Sequence, residues 1–360
     1  MAELVAIKGD LGDLLDRFDE EGWTDGLPVL PPTEAAVESM LRYADRDPDD
    51  VAGALPPNRA DATIRGIAIN AVMAGCRPEY LPVVIAAIEA IAMPEFNLYG
   101  IQATTNPVAT MIVVNGPLAR ELKFNGKGNC FGPGNRANAT VGRAVRLCMQ
   151  NIGGGVSQTM DKSTHGQPGK YSMCIAENED ENPWEPYHVE RGFDAATSTV
   201  TAFSVTGTTN VLDLASKQAT GILRTFASAC AHVGAQNVQL GGGPLIIFCP
   251  EHAAILAQDG FSKAEVKRFL YETSRVKIQD FPPETLNGMV RHRRPKRYGS
   301  EHPEATIPLA DGPEEIEILV AGGPGPHSVF LPSFGEATCS SIKPILHRDG
   351  SPVRSVRDFV

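Results

Sequence analysis

Residues 125–143 combine a glycine-rich polar loop with the start of a helix, an arrangement typical of anion sites. Backbone N–H groups at a helix start have no partner within the helix, and the helix dipole favours negative charge there. Residues 118–150 also contain six basic side chains and one acidic side chain, in a chain whose net charge is −11. Because a local excess of positive charge attracts anions, the segment predicts a site for a phosphate or a carboxylate.

The spacing of the glycines separates this segment from nucleotide-binding loops. It contains no GxxxxGK[ST] sequence, and its glycines do not follow a strand with GxGxxG spacing. Asparagine and threonine side chains suit a substrate carboxylate or carbonyl as well as a phosphate. The predicted substrate-binding residues are Gly132, Gly134, Asn135, Arg136, Asn138, Thr140 and Arg143. The alternative is a structural turn that caps a helix whose arginines face solvent or acidic loops.

The second dense region joins a flexible linker, residues 153–170, to an acidic segment that ends near residue 190. Clustered carboxylates beside a histidine can perform acid–base chemistry, because burial and like-charge repulsion move their pKa values toward neutrality. Glu177 and His188 are the predicted acid–base residues, and His165 and Lys170 are predicted to contact the substrate. The alternative is a solvated acidic loop that pairs with the basic helix. The ligand spacing is too weak to predict a metal site.

Cys76 is the leading candidate among the cysteines. It follows a glycine at a helix break and precedes Arg77, and such an electropositive turn can lower the pKa of a thiol. Cys130, Cys174 and Cys339 are further candidates, whereas Cys148, Cys230 and Cys249 occupy apolar contexts that predict core positions. No CxxC pair is present, so a reduced, cytoplasmic setting is expected.

Three short β-branched or apolar runs predict buried strands that would position these residues. They occupy residues 109–115, 245–249 and 316–321, and a Gly/Pro turn follows each run. The order predicts an α/β fold, with a mixed or mostly parallel sheet and flanking helices. Strand–Gly/Pro turn–helix units suggest a degenerate internal repeat, although ordinary βα units would look the same. The three turns are expected to line one crevice.

The predicted domains are an N-terminal helical arm or cap at 1–60, an α/β catalytic body at 61–345 and a C-terminal tail at 346–360. A division of this body into two lobes, 61–193 and 194–345, is the alternative to a single unit. Helical periodicity or composition also predicts helices over residues 10–22, 136–152 and 212–233, and residues 291–298 form a basic loop.

The composition excludes several classes of protein. A net charge of −11 argues against a nucleic-acid binder and against binding to anionic membranes, and the longest apolar stretch is too short to span a bilayer. No signature of a nicotinamide, flavin or pyridoxal cofactor is visible, and the cofactor requirement stays open. We expect a homo-oligomer, with a heteromeric partner as the alternative.

Three motifs resemble a family of bacterial proteins of unassigned function that is associated with UGSC-motif thiol or selenocysteine proteins. They are residues 69–80 (INAVMAGCRPEY), 131–140 (FGPGNRANAT) and 174–179 (CIAENE). The resemblance covers residues 20–345 and implies a bacterial origin and thiol chemistry. The chain departs from it at the Cys-Gly-Ser-Cys sequence, for which residues 339–341 (CSS) are the nearest counterpart.

Together these features predict an enzyme that acts on a small anionic substrate. The expected chemistry is that of a lyase or hydrolase, by acid–base catalysis at a carbon next to a carboxylate. The alternatives are a thiol-dependent redox enzyme and a non-catalytic subunit of a heteromeric complex.

Overall fold

A computed structural model describes residues 10–290, 292 and 304–359. Its helices are α1 Leu11–Glu20, α2 Glu34–Leu41, α3 Ile64–Ala74, α4 Leu81–Ile91, α5 Leu98–Gln102, α6 Pro117–Glu121, α7 Arg136–Asn151, α8 Tyr187–Glu190, α9 Ala219–Cys230, α10 Gln236–Leu240, α11 Pro250–Gln258, α12 Lys263–Thr273 and α13 Pro283–Thr285. Its strands are β1 Val51–Leu55, β2 Ala60–Thr63, β3 Ala109–Asn115, β4 Cys174–Ala176, β5 Thr199–Val205, β6 Thr209–Leu212, β7 Leu245–Phe248, β8 Arg275–Lys277, β9 Thr306–Pro308, β10 Glu317–Val320, β11 His327–Leu331 and β12 Ser341–Pro344. The predicted basic loop at 291–298 lies outside the described residues, except for His292.

Two four-stranded sheets pack face to face between two layers of helices. Met111 and Val113 of β3 lie in an apolar core with Ile247 of β7 and Leu319 of β10. The alternate residues of β3, Ile112 and Val114, instead join the core that contains α3, α4 and α7. The outer face of the second sheet packs in the same way against α9, α11 and α12. The predicted buried strands at β3, β7 and β10 are confirmed, since nearly all of their residues are buried and most are apolar. The central strand β5 is also buried, although it contains Thr199, Thr201 and Ser204.

The strand orders are β4-β3-β5-β12 in the first sheet and β10-β7-β11-β6 in the second. Read in these directions, the two sheets have the same sequence of parallel and antiparallel neighbours. In each sheet two neighbouring strands are parallel, β3 with β4 and β7 with β10, and the remaining neighbours are antiparallel. The predicted α/β fold with mixed sheets and flanking helices is therefore confirmed. The internal repeat stays a prediction, and one proposed unit differs from it, because the Gly/Pro turn after β10 leads to strand β11 rather than to a helix.

The edge strands connect the two sheets. After β5 the chain leaves the first sheet and forms β6 at the edge of the second, and after β11 it returns to form β12 beside β5. The predicted lobes 61–193 and 194–345 therefore do not correspond to the sheets, since β5 and β12 of the first sheet both follow residue 193. The β1–β2 hairpin likewise crosses the predicted boundary at residue 60.

Helix α7 matches its predicted amphipathic pattern. Ala137, Val141, Ala144, Val145 and Cys148 are all buried, as expected from helical spacing. Asn135 caps the helix start by accepting a hydrogen bond from the backbone N–H of Asn138. The helix predicted over 212–233 was wrong at its start, because residues 209–212 form β6 and α9 begins only at Ala219.

Within the described residues, no single helix is long and apolar enough to cross a bilayer. Two consecutive helical segments, Pro78–Ile91 and Pro94–Gln102, are long and apolar enough only when they are counted together, and the chain bends by 72° between them.

The contact between the sheets makes a direct prediction for stability. Leu319 is fully buried between the sheets, so Leu319→Ala should lower the free energy of unfolding by about 2–5 kcal/mol, through lost burial and the cavity that remains. Leu214→Ala is the control, because Leu214 is 67% exposed and should contribute little. Urea denaturation of both variants measures the difference. Equal effects would contradict the packing described above.

Candidate functional site

An open cleft of about 990 Å³ lies beside the C-terminal half of α7. One wall is the segment 22–26 of the N-terminal arm, and another is the loop 156–171. Arg146 and Gln150 of α7 also line it. The cleft has the size of a small-molecule site, which typically occupies about 300–1,000 Å³.

A charged cluster lies at the inner end of this cleft. The Lys170 Nζ atom is 2.7 Å from Asp161 Oδ2 and donates a hydrogen bond of 2.8 Å to Ser163 Oγ. An Arg146 Nη2 atom lies 3.9 Å from the same Asp161 oxygen and donates to the carbonyl of Gly155 at 3.1 Å. Two cations thus share one carboxylate, and the cluster has an excess positive charge that favours an anionic ligand.

Burial and pairing act in opposite directions on these groups. Burial lowers the pKa of Lys170, and the hydrogen bond and charge of Asp161 offset this only in part. Burial also lowers the pKa of Arg146, against the attraction of Asp161 and Asp25. For Asp161, burial alone would raise the pKa, but the hydrogen bonds from Lys170 and Ser163 prevail and hold it below its ordinary value. The carboxylate is therefore ionised near neutral pH.

Behind the cluster lies a second cavity of about 20 Å³, which is large enough for one water molecule. Lys170, Arg146 and Asp161 line it together with Gln102 and Thr110. The Oε1 atom of Gln102 and the Oγ1 atom of Thr110 are buried and have no hydrogen-bond partner in the described part of the chain. These polar atoms make the cavity suitable for an ordered water next to the charged groups.

The loop that carries Lys170 is fixed at several points by local chemistry. The Asp161 carboxylate accepts from the backbone N–H and the hydroxyl of Ser163, which closes a tight turn. The Gln167 side chain donates to the carbonyls of Pro107 and Val205, at the start of β3 and the end of β5. The 153–170 linker is therefore attached to the sheet, although its sequence suggested flexibility.

The N-terminal arm is held on α7 by polar contacts. Arg143 makes a bidentate ion pair with Asp25, with distances of 2.9 and 2.7 Å. The side chain of Gln150 donates to the carbonyls of Gly22 and Thr24. The arm thus forms a wall of the cleft, and Arg143, predicted to bind substrate, instead positions that wall through Asp25.

His165 and Lys170, the predicted substrate contacts of the acid–base site, both line the cleft. Glu177 and His188 lie elsewhere, at the carboxyl ends of β3 and β4. Glu177 accepts hydrogen bonds from the side chains of Asn115 and Asn182 and from the backbone N–H of Tyr187, and burial raises its pKa. Neither Glu177 nor His188 lines the cleft, so the predicted acid–base pair and the predicted substrate contacts are not brought together.

His188 is completely buried, with its Nδ1 atom 3.9 Å from Glu179 Oε1. Burial lowers the pKa of His188, although the charge of Glu179 opposes this shift. The Glu179 carboxylate itself accepts from Asn115, from the backbone N–H of Gly116 and from Arg120. These contacts give the acidic segment a structural role in joining the ends of β3 and β4, while its catalytic role stays a prediction.

The polar groups of the predicted anion loop are largely engaged within the protein. Asn138 donates to the carbonyls of Asn125 and Cys130 and accepts from the Asn125 backbone N–H. Asn135 donates to the carbonyl of Lys123, and Thr140 donates to the carbonyl of Arg136. The Arg136 Nε atom donates to the carbonyl of Gly75. These bonds favour the structural alternative for the loop.

The two glycines predicted to bind substrate have conformational explanations. A Cβ atom at Gly132 would lie 2.1 Å from the side chain of Asn129, and Gly134 has a φ of +116°, which other residues rarely adopt. The predicted anion loop and the cleft are separate places on the protein. Arg136, at the loop, and Arg146, at the cleft, are ten residues apart and therefore about 15 Å apart along α7.

Four of the six cations of residues 118–150 lie near carboxylates that are distant in the sequence. Arg120 and Lys127 pair with Asp180, Arg143 pairs with Asp25, and Arg146 lies near Asp161. The acidic segment therefore does pair with the basic segment, as the alternative interpretation expected. Lys123 and Arg136 have no carboxylate within ion-pair distance in the described residues, and Arg146 joins a cluster in which a second cation, Lys170, leaves positive charge in excess.

Cys76 has an environment opposite to the one predicted. Its thiol is buried and donates to the Thr140 carbonyl at 3.3 Å, and burial raises its pKa to about 12. The nearby Arg136 charge opposes this shift but does not overcome it. The electropositive turn therefore does not lower the pKa of this thiol, because desolvation outweighs the charge.

Sequence patterns did not single out Arg146, Asp161 or Ser163 as site residues. Arg146 was one of several arginines on a basic helix, and Asp161 and Ser163 were polar residues of a long linker. The folded loop brings the carboxylate of Asp161 close to Arg146. Cys249 is buried, as its apolar context predicted, but it also has polar contacts that were not predicted. It caps α11, accepts from the backbone N–H of His252 at 3.5 Å, and shares Ser328 with that histidine. The C-x-x-H spacing of Cys249 and His252 at the start of a helix could have indicated that these two residues are in contact.

The Asp161 pKa predicts a pH dependence of stability. The pKa of Asp161 is lower in the folded protein than in the unfolded chain, where it is about 3.9. The ionised carboxylate therefore stabilises the folded state fully at pH values above about 3.9. This stabilisation is lost as the pH falls through the pKa of the folded state. Asp161→Asn should lower the free energy of unfolding at pH 7 by about 1.5–3 kcal/mol, the range for a hydrogen bond to a charged group.

Urea denaturation between pH 7 and pH 3 tests this expectation. The difference between wild type and Asp161→Asn should narrow below pH ~3.9. Asp16→Asn serves as the control, because Asp16 is exposed on α1. A difference that keeps its full size at pH 3 would rule out the proposed charge pairing.

A scan of the chain against models of known protein families found no match, and a search of curated proteins found none either. The resemblance to proteins associated with the UGSC motif therefore stays a prediction, and the site rests on its own geometry.

Proposed function

We propose that this chain is an enzyme that acts on a small anionic substrate in the cleft beside α7. The observation that carries the proposal is the Arg146–Asp161–Lys170 cluster, in which two cations share one carboxylate at the base of an open cleft. A carboxylate or phosphate group would complete the charge balance by accepting hydrogen bonds from Lys170 and Arg146.

The chemistry that fits this arrangement is acid–base catalysis at a carbon next to the bound carboxylate, as in a lyase. His165 lines the cleft and acts as the base that removes the proton. Negative charge then develops on the carboxylate side of the substrate, where Lys170 and Arg146 stabilise it. Departure of a leaving group from the adjacent carbon would complete an elimination.

One contact favours hydrolysis as a second candidate. The Ser163 hydroxyl lies 2.8 Å from Lys170 Nζ, and a serine beside a lysine can serve as a nucleophile when the lysine accepts its proton. The Asp161 carboxylate opposes this route, because its ion pair with Lys170 favours the protonated amine. Labelling of Ser163 by a fluorophosphonate probe, with Ser163→Ala as the control, would favour the hydrolase over the lyase.

Ligand-dependent stability tests the anion site. Succinate or inorganic phosphate should raise the Tm of the wild type, because a ligand that binds only the folded state stabilises it by about 2.7 kcal/mol at 100 times its Kd. The neutral succinamide should have no such effect. Arg146→Gln should abolish the shift, whereas Arg136→Ala, about 15 Å away on the same helix, should retain it.

The same comparison separates the two anion sites. Loss of the shift in Arg136→Ala alone would place the ligand at the start of α7, as the sequence pattern predicted. Absence of a shift with both anions in the wild type would contradict an anion site in the cleft.

Hydrogen exchange tests the reaction class. In D₂O, the wild type should exchange the hydrogens on the carbons next to the carboxylates of succinate. NMR measures the rate of this exchange. His165→Gln should slow this exchange by about 10²–10⁴-fold, the usual contribution of a general base, while the Tm shift persists. Unchanged exchange in that variant would exclude His165 as the base.

A further inference from the structure

The cleft beside α7 has more room than an anionic group alone requires. Its volume of about 990 Å³ is at the upper end of the range for small-molecule sites, which usually enclose most of the ligand. Succinate would occupy only the part next to Lys170 and Arg146, where the charges lie. The rest of the lining therefore indicates what the substrate contains besides its anionic group.

Tyr171 presents an aromatic ring to this remaining space. It lines the cleft and is 52% exposed, and within the described residues its side chain has no hydrogen bond and no contact with another ring. Val156, which is 39% exposed, and Pro168 add apolar surface to the same lining. Single exposed apolar residues are common on protein surfaces, but these three share one concave site.

The backbone of Tyr171 is fixed beside the charged cluster. Its N–H donates to the carbonyl of Pro168 at 3.1 Å, and the hydroxyl of the next residue, Ser172, donates to the carbonyl of Ala139 in α7 at 2.8 Å. Tyr171 follows Lys170 directly, so their Cα atoms are about 3.8 Å apart. An anion at Lys170 and a ring at Tyr171 can therefore belong to one small molecule, and a fixed backbone reduces the entropy that is lost on binding.

We propose that the substrate of this cleft is an aromatic acid, in which a short linker joins the anionic group to a planar ring. The anionic group binds Lys170 and Arg146, and the ring packs on the ring of Tyr171 in an offset-stacked or edge-to-face arrangement. This inference rests on the function proposed for the cleft and names its class of substrate. Tyr171 is then a residue that determines specificity, because it contacts the part of the substrate that does not react.

Calorimetric titration of the whole chain with two matched acids tests this inference. Phenylsuccinate should bind the wild type about tenfold more tightly than succinate, because burial of the phenyl ring and its contact with Tyr171 add to the same anionic contacts. Tyr171→Ala should remove most of this preference while its affinity for succinate stays that of the wild type, which also shows that the variant is folded. Tyr171→Phe should keep the preference, since it retains the ring; loss of the preference in this variant would assign the effect to the hydroxyl and overturn the ring contact.

Tyr99→Ala is the matched control, because Tyr99 is 53% exposed but does not line the cleft. It should leave the affinities for both acids unchanged. Equal affinities of the wild type for the two acids, or a preference for phenylsuccinate that persists in Tyr171→Ala, would overturn the aromatic substrate and leave the anion site in place. Failure of the wild type to bind either acid would instead overturn the anion site, and this inference with it.

Discussion

Burial of the central strands on both faces constrains every other part of this molecule. Met111, Ile247 and Leu319 meet between the sheets, while their sequence neighbours pack against the helical layers. The middles of β3 and β7 are apolar, because a buried polar group without a partner costs free energy. The equally buried β5 differs, since it contains Thr199, Thr201 and Ser204. The charged groups of the cleft and of the acidic segment lie outside the sheets, in helix α7 and in the loops beside the strand ends.

The loops and helices beside the sheets contain charged groups that are paired and largely removed from solvent. Asp161 is matched with Lys170 near the start of β3, and Glu190 of α8 is matched with Lys263 and Lys267 of α12. Removing one partner of such a pair leaves an uncompensated charge, so these contacts fix the position of the loops even when their net contribution to stability is small. In the cleft, this fixation holds Lys170 and Arg146 in place before any ligand arrives, and pre-organised donors lose less free energy when they bind.

The sequence was informative where the physics is local. Hydrophobic periodicity identified β3, β7 and β10 and the buried face of α7, because each depends on residues that are close in the chain. It failed at Leu212, where an apolar helix-like run begins as strand β6. Pairing with β11, more than a hundred residues later, decides that segment. The exchange of β6 and β12 between the sheets has no local signal at all.

The difference between local and long-range interactions also explains why the prediction of an anion site from the charges of residues 118–150 was incomplete. A count of charges along 118–150 measures what the segment contributes, but the field at a site also depends on carboxylates from elsewhere. Asp25 is 118 residues from Arg143 and Asp180 is 53 residues from Lys127, yet both neutralise their partners. Arg120 and Lys127 also share one carboxylate, Asp180, but Arg120 has a second partner in Glu179. Arg146 and Lys170 share Asp161. Arg136, at the glycine-rich start of α7, has no carboxylate within ion-pair distance in the described residues, but it does not line the cleft. What favours the end of α7 as the proposed anion site is the combination of Arg146 and Lys170 around one carboxylate with an open cleft in front of them.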